Sequence, residues 1–189
     1  MFARTPRLLL RPGWVEDAPA LSNALADTAI TRNLRDMPAV ATPEAARAFL
    51  AAARDPLSPY FLIFARTGGA PRLVGGCSII REGGAPELSF WIARPYWGLG
   101  FATEAASAAI RIVRAAGLGR MIARPATDNV AASHVLSKIG FRLTGRRETR
   151  RTAARDRTMT CSLFEDSCAG PMRIDPAQEL YMDRSPIAA

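Results

Sequence analysis

The spacing of apolar positions changes several times along the chain, and each change marks a new element. Residues 7–11 read as a short first strand around Leu8-Leu9-Leu10. Asp17 is placed to cap a helix with Pro19 in its first turn, running towards Asp27. Thr42-Pro43-Glu44 starts a second helix, with proline near the first helical position and an acid near the positive end of the dipole. Ala45, Ala48, Phe49 and Ala52 then recur at helical spacing. Residues 60–66, 72–81 and 87–93 read as three strands separated by Gly68-Gly69 and Gly83-Gly84, an antiparallel meander.

The second half has a different rhythm. Residues 103–116 are Ala-rich, with Ala106, Ile110 and Val113 along one face and Gly117 as C-terminal cap. Residues 121–123 form a brief strand, and residues 130–139 a helix closed by Gly140. Strand, helix and strand over this length predict a right-handed parallel crossover. Residues 141–147 and 158–164 predict a final hairpin. The expected fold is α/β: one domain over residues 1–165, with a mixed, mostly antiparallel sheet, flanking helices and a parallel β-α-β core. Residues 166–189, with Pro171, Pro176 and Pro186, lose periodicity and read as an extension.

Composition narrows the class. A chain of 189 residues, 49% apolar and 22% charged, is globular and large enough for a real core. No apolar run approaches the ~20 residues of a membrane span. Leu8-Leu9-Leu10 falls short of a signal-peptide core, so a cytoplasmic protein is expected. The charge is 25 − 17 = +8, and Lys138 is the single lysine. This balance points to an anionic partner (nucleic acid, phosphorylated cofactor or substrate) or to coding bias in an Ala-, Pro- and Gly-rich chain. Cys77, Cys161 and Cys168 are odd in number and lack CxxC spacing, and His134 is the single histidine. Disulfide frameworks and metal sites are therefore not expected.

The chemistry concentrates in Trp97-Gly98-Leu99-Gly100-Phe101-Ala102-Thr103-Glu104, where a strand ends and a helix begins. Successive amides at a helix start cradle a phosphate, and glycines let it approach the backbone. A Walker lysine is missing, and Thr103 stands where a dinucleotide fingerprint needs its third glycine.

Several motifs in order resemble a Gcn5-related N-acetyltransferase, in the branch that modifies ribosomal-protein N-termini. They are Thr5-Pro6-Arg7-Leu8-Leu9-Leu10-Arg11-Pro12, Asp17-Ala18, Thr42-Pro43-Glu44-Ala45-Ala46, the stretch from Glu87 through Ala105, and Asn129 through Phe141. The resemblance covers roughly residues 5–165 and implies acetyl transfer from acetyl-CoA to a primary amine in a ternary complex. The amine belongs to a protein N-terminus or a small molecule. The implied diphosphate cradle is the backbone from Gly98 to Thr103. Trp97 stands where relatives usually carry a basic residue, leaving Arg94 or Lys138 to compensate. The implied pantetheine groove uses backbone groups near Trp91, Ile92 and Ala93, with Asn129 opposite. A homodimer stays open.

An amine of pKa near ~10.4 must lose a proton before it attacks the thioester. Glu87, at the start of the acyl-binding strand, is the candidate base, and a backbone amide near Trp91 or Ile92 the candidate oxyanion donor. Tyr96, Ser133 or water are the candidate acids. Relatives often carry Tyr where this chain has Leu136 and Ser where it has Ala132. Trp91, Trp97 and Phe90 line an acceptor pocket or serve packing, His134 faces solvent, and Cys77 is a small buried strand residue. The basic residues from Arg142 to Arg157 either grip an acidic acceptor, the adenosine 3′-phosphate or RNA, or form a solvated hairpin and loop; the solvated hairpin is the favoured reading, since recognised RNA-binding signatures are missing. Two other classes remain: an acyl-CoA-binding regulatory protein without turnover, and a basic RNA- or ribosome-associated module.

Overall fold

The computed structural model describes residues 1–34, 42–52, 55, 57–67, 69–82, 84–152 and 155–166. Of the expected extension, Asp166 instead ends the last strand of the sheet; its remainder with Cys168, and Gly68 and Gly83, lie outside the described residues. One sheet of eight strands organises the chain. Its strands are β1 (Ala3–Arg4), β2 (Leu8–Pro12), β3 (Tyr60–Ala65), β4 (Arg72–Ile80), β5 (Glu87–Ile92), β6 (Ile122–Ala123), β7 (Phe141–Thr152) and β8 (Arg155–Asp166). They lie in the order β1-β2-β3-β4-β5-β6-β8-β7. Every pairing is antiparallel except β5 with β6, which are parallel. The mixed sheet and the parallel pairing expected of the crossover strands are both present.

The helices are α1 (Ala18–Leu25), α2 (Thr28–Thr31), α3 (Pro43–Ala51), α4 (Phe101–Ala115) and α5 (Val130–Lys138). The central strands are covered on both faces. Phe61 and Ile63 of β3 join a core with α4 and α5, which contributes Ala105, Ala109, Ile110 and Leu136. The alternate residues Leu62 and Phe64 join Leu21, Leu25, Ile30 and Ala46 from α1 to α3. Burial on both faces is why β3 reads as an unbroken apolar run. The alanines of α4 let that helix lie close against the sheet, and each large aliphatic so buried contributes about 1.5–3 kcal/mol.

Local signals hold at most element ends. Thr42 accepts the Ala45 amide at the start of α3, and Gly117 and Gly140 take φ of +84° and +91° after their helices. Asp17 differs: it precedes α1 but makes no side-chain cap. Its carboxylate instead takes Arg11 Nη1 and Nη2 at 2.7 and 2.8 Å and the Trp14 amide at 2.8 Å. Burial opposes ionisation of Asp17, but these bonds outweigh it and its pKa falls below the usual aspartate value. The final hairpin is longer than its apolar pattern, with twelve residues in each strand. In its outer ladder, from Arg147↔Ser162 to Thr152↔Arg155, the β7 residues 147–152 include no apolar side chain to signal the pairing.

Candidate active site

β5 and β6 touch at one register position, Glu87↔Ile122. Beyond it they separate. β5 stays zipped to β4 through Gly75↔Ile92, whereas the chain after β6 follows β8, with Ser162 N–H on the Pro125 carbonyl and Thr127 N–H on the Thr160 carbonyl. The result is an open wedge. Ala93 N–H bonds the Val74 carbonyl, so by antiparallel alternation Trp91 and Ala93 spend their backbone groups on β4. Phe90 and Ile92 turn theirs towards the wedge. The free amides therefore belong to Phe90 and Ile92 rather than Trp91.

The wedge leads to the glycine loop. Gly98 and Gly100 have φ of +76° and +79°, a left-handed conformation that L side chains rarely adopt. Gly100 precedes α4, and no side chain caps that helix. The early amides of α4, at Phe101, Ala102 and Thr103, thus lack intrahelical acceptors and point out of the helix start. Trp97 is about half exposed (51%), and its indole N–H donates 2.6 Å to the Ile92 carbonyl. It closes over a backbone acceptor on the wedge side. Of the two cations offered to replace a basic loop residue, Arg94 is held by Asp27 at 2.8 and 3.1 Å, and Lys138 is exposed at the far end of α5. The Arg94 bond also draws the Asp27 pKa below its usual value.

At the narrow end of the wedge a cavity of about 70 Å³ is lined by Glu87, Ser89, Phe90, Arg124, Asn129, Ala132, Leu136 and Arg150, among others. Asn129 caps α5 by accepting the Ala132 amide at 3.1 Å. Glu87 is buried (8% exposed). Its oxygens take Arg124 Nη1 at 2.6 Å and Arg150 Nη1 at 2.8 and 2.9 Å, and Glu148 lies 2.7 Å from Arg124 Nε. Arg150 is therefore part of the site, whereas Arg142, Arg146 and Arg147 are exposed as a solvated hairpin requires.

A second cavity, of about 270 Å³, opens on the face covered by α1 to α3. Its walls include Phe49, Tyr60, Gly76, Ser78 and Trp91, and Ser89 lines both cavities. Tyr60 stacks edge-on with Phe49 at 5.1 Å, and its hydroxyl oxygen accepts the Trp91 indole N–H at 3.2 Å. A Cβ at residue 76 would lie 2.4 Å from Trp91 Nε1 and 2.7 Å from the Tyr60 oxygen, so glycine keeps this wall in place. The Trp91 side chain thus belongs to the second cavity and not to the wedge.

The remaining sequence candidates disperse. Tyr96 packs its ring on Phe101 at 6.3 Å, Ser133 donates to the Asn129 carbonyl at 3.3 Å, and neither lines either of these two cavities. Leu136 and Ala132 do line the narrow end, without hydroxyls. His134 is exposed. Cys77 is buried, and burial pushes its thiol pKa up to about 12. Sequence reasoning gave no site role to Arg124 or Tyr60, quoted Arg7 only within the opening-strand motif, and read Arg150 only as one of a basic stretch. Among the described residues, no helix is long and apolar enough to cross a membrane, and no group of three His, Cys, Asp or Glu is placed to hold a metal.

A mixed sheet split between two parallel strands, with a glycine loop and an uncapped helix at the mouth of the split, defines a class of acyltransferase folds. The profile of the acetyltransferase (GNAT) domain matches residues 7–142. The chain belongs to the GNAT acetyltransferase family. No curated protein matches it. Its fold is shared by a GNAT-family acetyltransferase from Bacillus anthracis (TM-score 0.72, 22% identity, covering 87% of this chain and 97% of that one). A ribosomal-protein-S5-alanine acetyltransferase from Vibrio fischeri is also similar (0.70, 17%, 90% and 100%). So is the microcin C7 self-immunity acetyltransferase MccE, solved with acetyl-CoA and AMP (0.72, 14%, 86% and 93%).

Proposed function

We propose that this protein transfers an acetyl group from acetyl-CoA to a primary amine within a ternary complex. The observation that carries this reading is the pair of cavities that share Ser89 of β5 as a lining residue, one in the wedge and one under α1 to α3. The thioester enters through the wedge, with its diphosphate on the amides from Gly98 to Thr103 and its pantetheine amides along Phe90 and Ile92. Asn129 orients it from the opposite wall. The acceptor enters through the aromatic cavity. Its nitrogen lone pair attacks the thioester carbon, an oxyanion forms, and the Phe90 or Ile92 amide stabilises it. The C–S bond then breaks and the sulfur leaves as thiolate.

Proton movement needs a reading of Glu87 different from a simple base. Both of its oxygens are already engaged, by Arg124 and Arg150. We assign Glu87 to holding the acyl end in shape, with water carrying the amine proton outward. Leu136 and Ala132 offer no acid. A thiol of pKa near ~8.5 leaves without one. Tyr96 and Ser133 have no place in this scheme. Enclosure by Phe49, Tyr60 and Trp91 favours a small-molecule amine or a single apolar N-terminal residue.

The test is calorimetry with acetyl-CoA, with CoA and ATP as controls, followed by thiol release against amines and peptides. Micromolar acetyl-CoA binding with much weaker ATP binding, and thiol release with at least one acceptor, is expected. No acetyl-CoA binding by folded protein would reject the reading. The polar group missing at Leu136 favours one second reading, an acyl-CoA-binding regulator. Tight binding without turnover across the acceptor panel would support that reading.

A further inference from the structure

We propose that Arg7, in the turn just before β2, is the positioning cation of the glycine loop and takes the place of the basic residue that Trp97 displaces. This rests on the acetyl-CoA reading of the loop. The problem it addresses is electrostatic. Glu104 sits in the first turn of α4, so a carboxylate stands beside the amides that are to receive a diphosphate. Left alone it repels the ligand and competes for the same positive end of the dipole.

Arg7 answers this directly. Its Nε donates 2.7 Å to Glu104 Oε2 and its Nη2 lies 2.6 Å from the same oxygen. Its own amide donates 3.2 Å to Oε1, and buried Thr5 donates its hydroxyl to Oε1 at 2.6 Å. The carboxylate is thereby neutralised and turned towards the β1–β2 turn. The same guanidinium reaches the loop itself: Nη1 donates 2.9 Å to the Leu99 carbonyl. That bond pins the peptide between the two left-handed glycines and holds its oxygen away from an incoming anion. Arg7 also lies over the Phe101 ring at 4.8 Å. Nη2 would sit 3.5 Å from a Cβ at Gly100, at the floor of the cradle. Each terminal nitrogen keeps one further N–H, and the side chain is half exposed (51%). Charge, orientation and access therefore coincide at one residue, supplied from the β1–β2 turn 97 positions away from Glu104.

The experiment compares acetyl-CoA with S-acetylpantetheine, which has the thioester arm but no diphosphate. Binding of both is measured by calorimetry for the natural chain, Arg7→Ala, Arg7→Lys, and Arg7→Ala with Glu104→Gln. Arg7→Ala is expected to weaken acetyl-CoA binding about tenfold or more, with S-acetylpantetheine changed less than about twofold. Arg7→Lys should recover part of the loss, and removing the Glu104 charge in the Arg7→Ala background should recover part as well. Equal losses for both donors, or no rescue by Glu104→Gln, would overturn the proposal and leave Arg7 a packing residue. A natural chain that binds the two donors equally well would instead reject the cradle reading beneath it. If Arg7→Ala does not fold, Arg7→Lys carries the test, because it keeps the charge and loses the paired geometry. Donor-independent affinity in that variant would also overturn the proposal.

Discussion

Replacing Glu87 by glutamine separates an anchoring carboxylate from a proton acceptor. Glu87 is buried, and the two guanidiniums on it are only about one fifth exposed (18% for Arg124, 20% for Arg150). Removing one partner of a buried ion pair costs ~3–5 kcal/mol. Three features reduce that here: glutamine keeps one acceptor oxygen, the arginines retain some solvent, and Glu148 remains on Arg124. The expected loss is about 2–3 kcal/mol, at the foot of that range or below it. For a chain of this size it lowers Tm by roughly 4–12 °C. The assay is urea and thermal unfolding of Glu87→Gln at pH 7, paired with a pH–rate profile on the best acceptor. If Glu87 anchors the site, stability falls and the acid limb of the profile keeps its position. An unchanged Tm together with a vanished acid limb would refute the anchoring argument and restore Glu87 as the base.

Gly100→Ala should be strained whatever space surrounds it, because φ is +79°. Forcing an alanine there costs about 1–2 kcal/mol, and acetyl-CoA titration should show about tenfold weaker binding; unchanged affinity would mean the loop shape is irrelevant to the ligand. Asp17 has a lowered pKa in the folded chain, so its contribution is present above the unfolded value of ~3.9 and is lost as pH falls through the folded one. Urea midpoints of the natural chain and Asp17→Asn should therefore differ at pH 6 and converge towards pH 3, and a gap that ignores pH would contradict the pairing with Arg11. Cys77, its pKa raised by burial to about 12, should resist iodoacetamide at pH 8 in the native protein and react in urea, as peptide mapping would reveal.

Much of the architecture was legible because it is encoded locally. Apolar period, Pro near the start of α3, Thr42 as its cap, and Gly117 and Gly140 beyond α4 and α5 all act within a few residues. So do the glycines that place the loop before α4. The family likeness rests on the same short motifs in order. The parallel pairing of β5 with β6 also followed from the strand-helix-strand rhythm, since a helical connection of this length carries the chain back to start the next strand in the same direction.

The site was less legible. That Phe90 and Ile92, not Trp91, face the wedge depends on the register of β5 against β4, and a shift of one residue would exchange them. Asp17 turns to Arg11 and not to its helix because a guanidinium on the neighbouring strand binds it more strongly than an amide does. Arg124 and Arg150 meet on Glu87, and Arg7 meets Glu104, only once the sheet has brought distant segments side by side. Local propensities act over a turn of chain and can be read in order. Charge pairing and cavity walls act through space, and the strand register alone decides which residues share it.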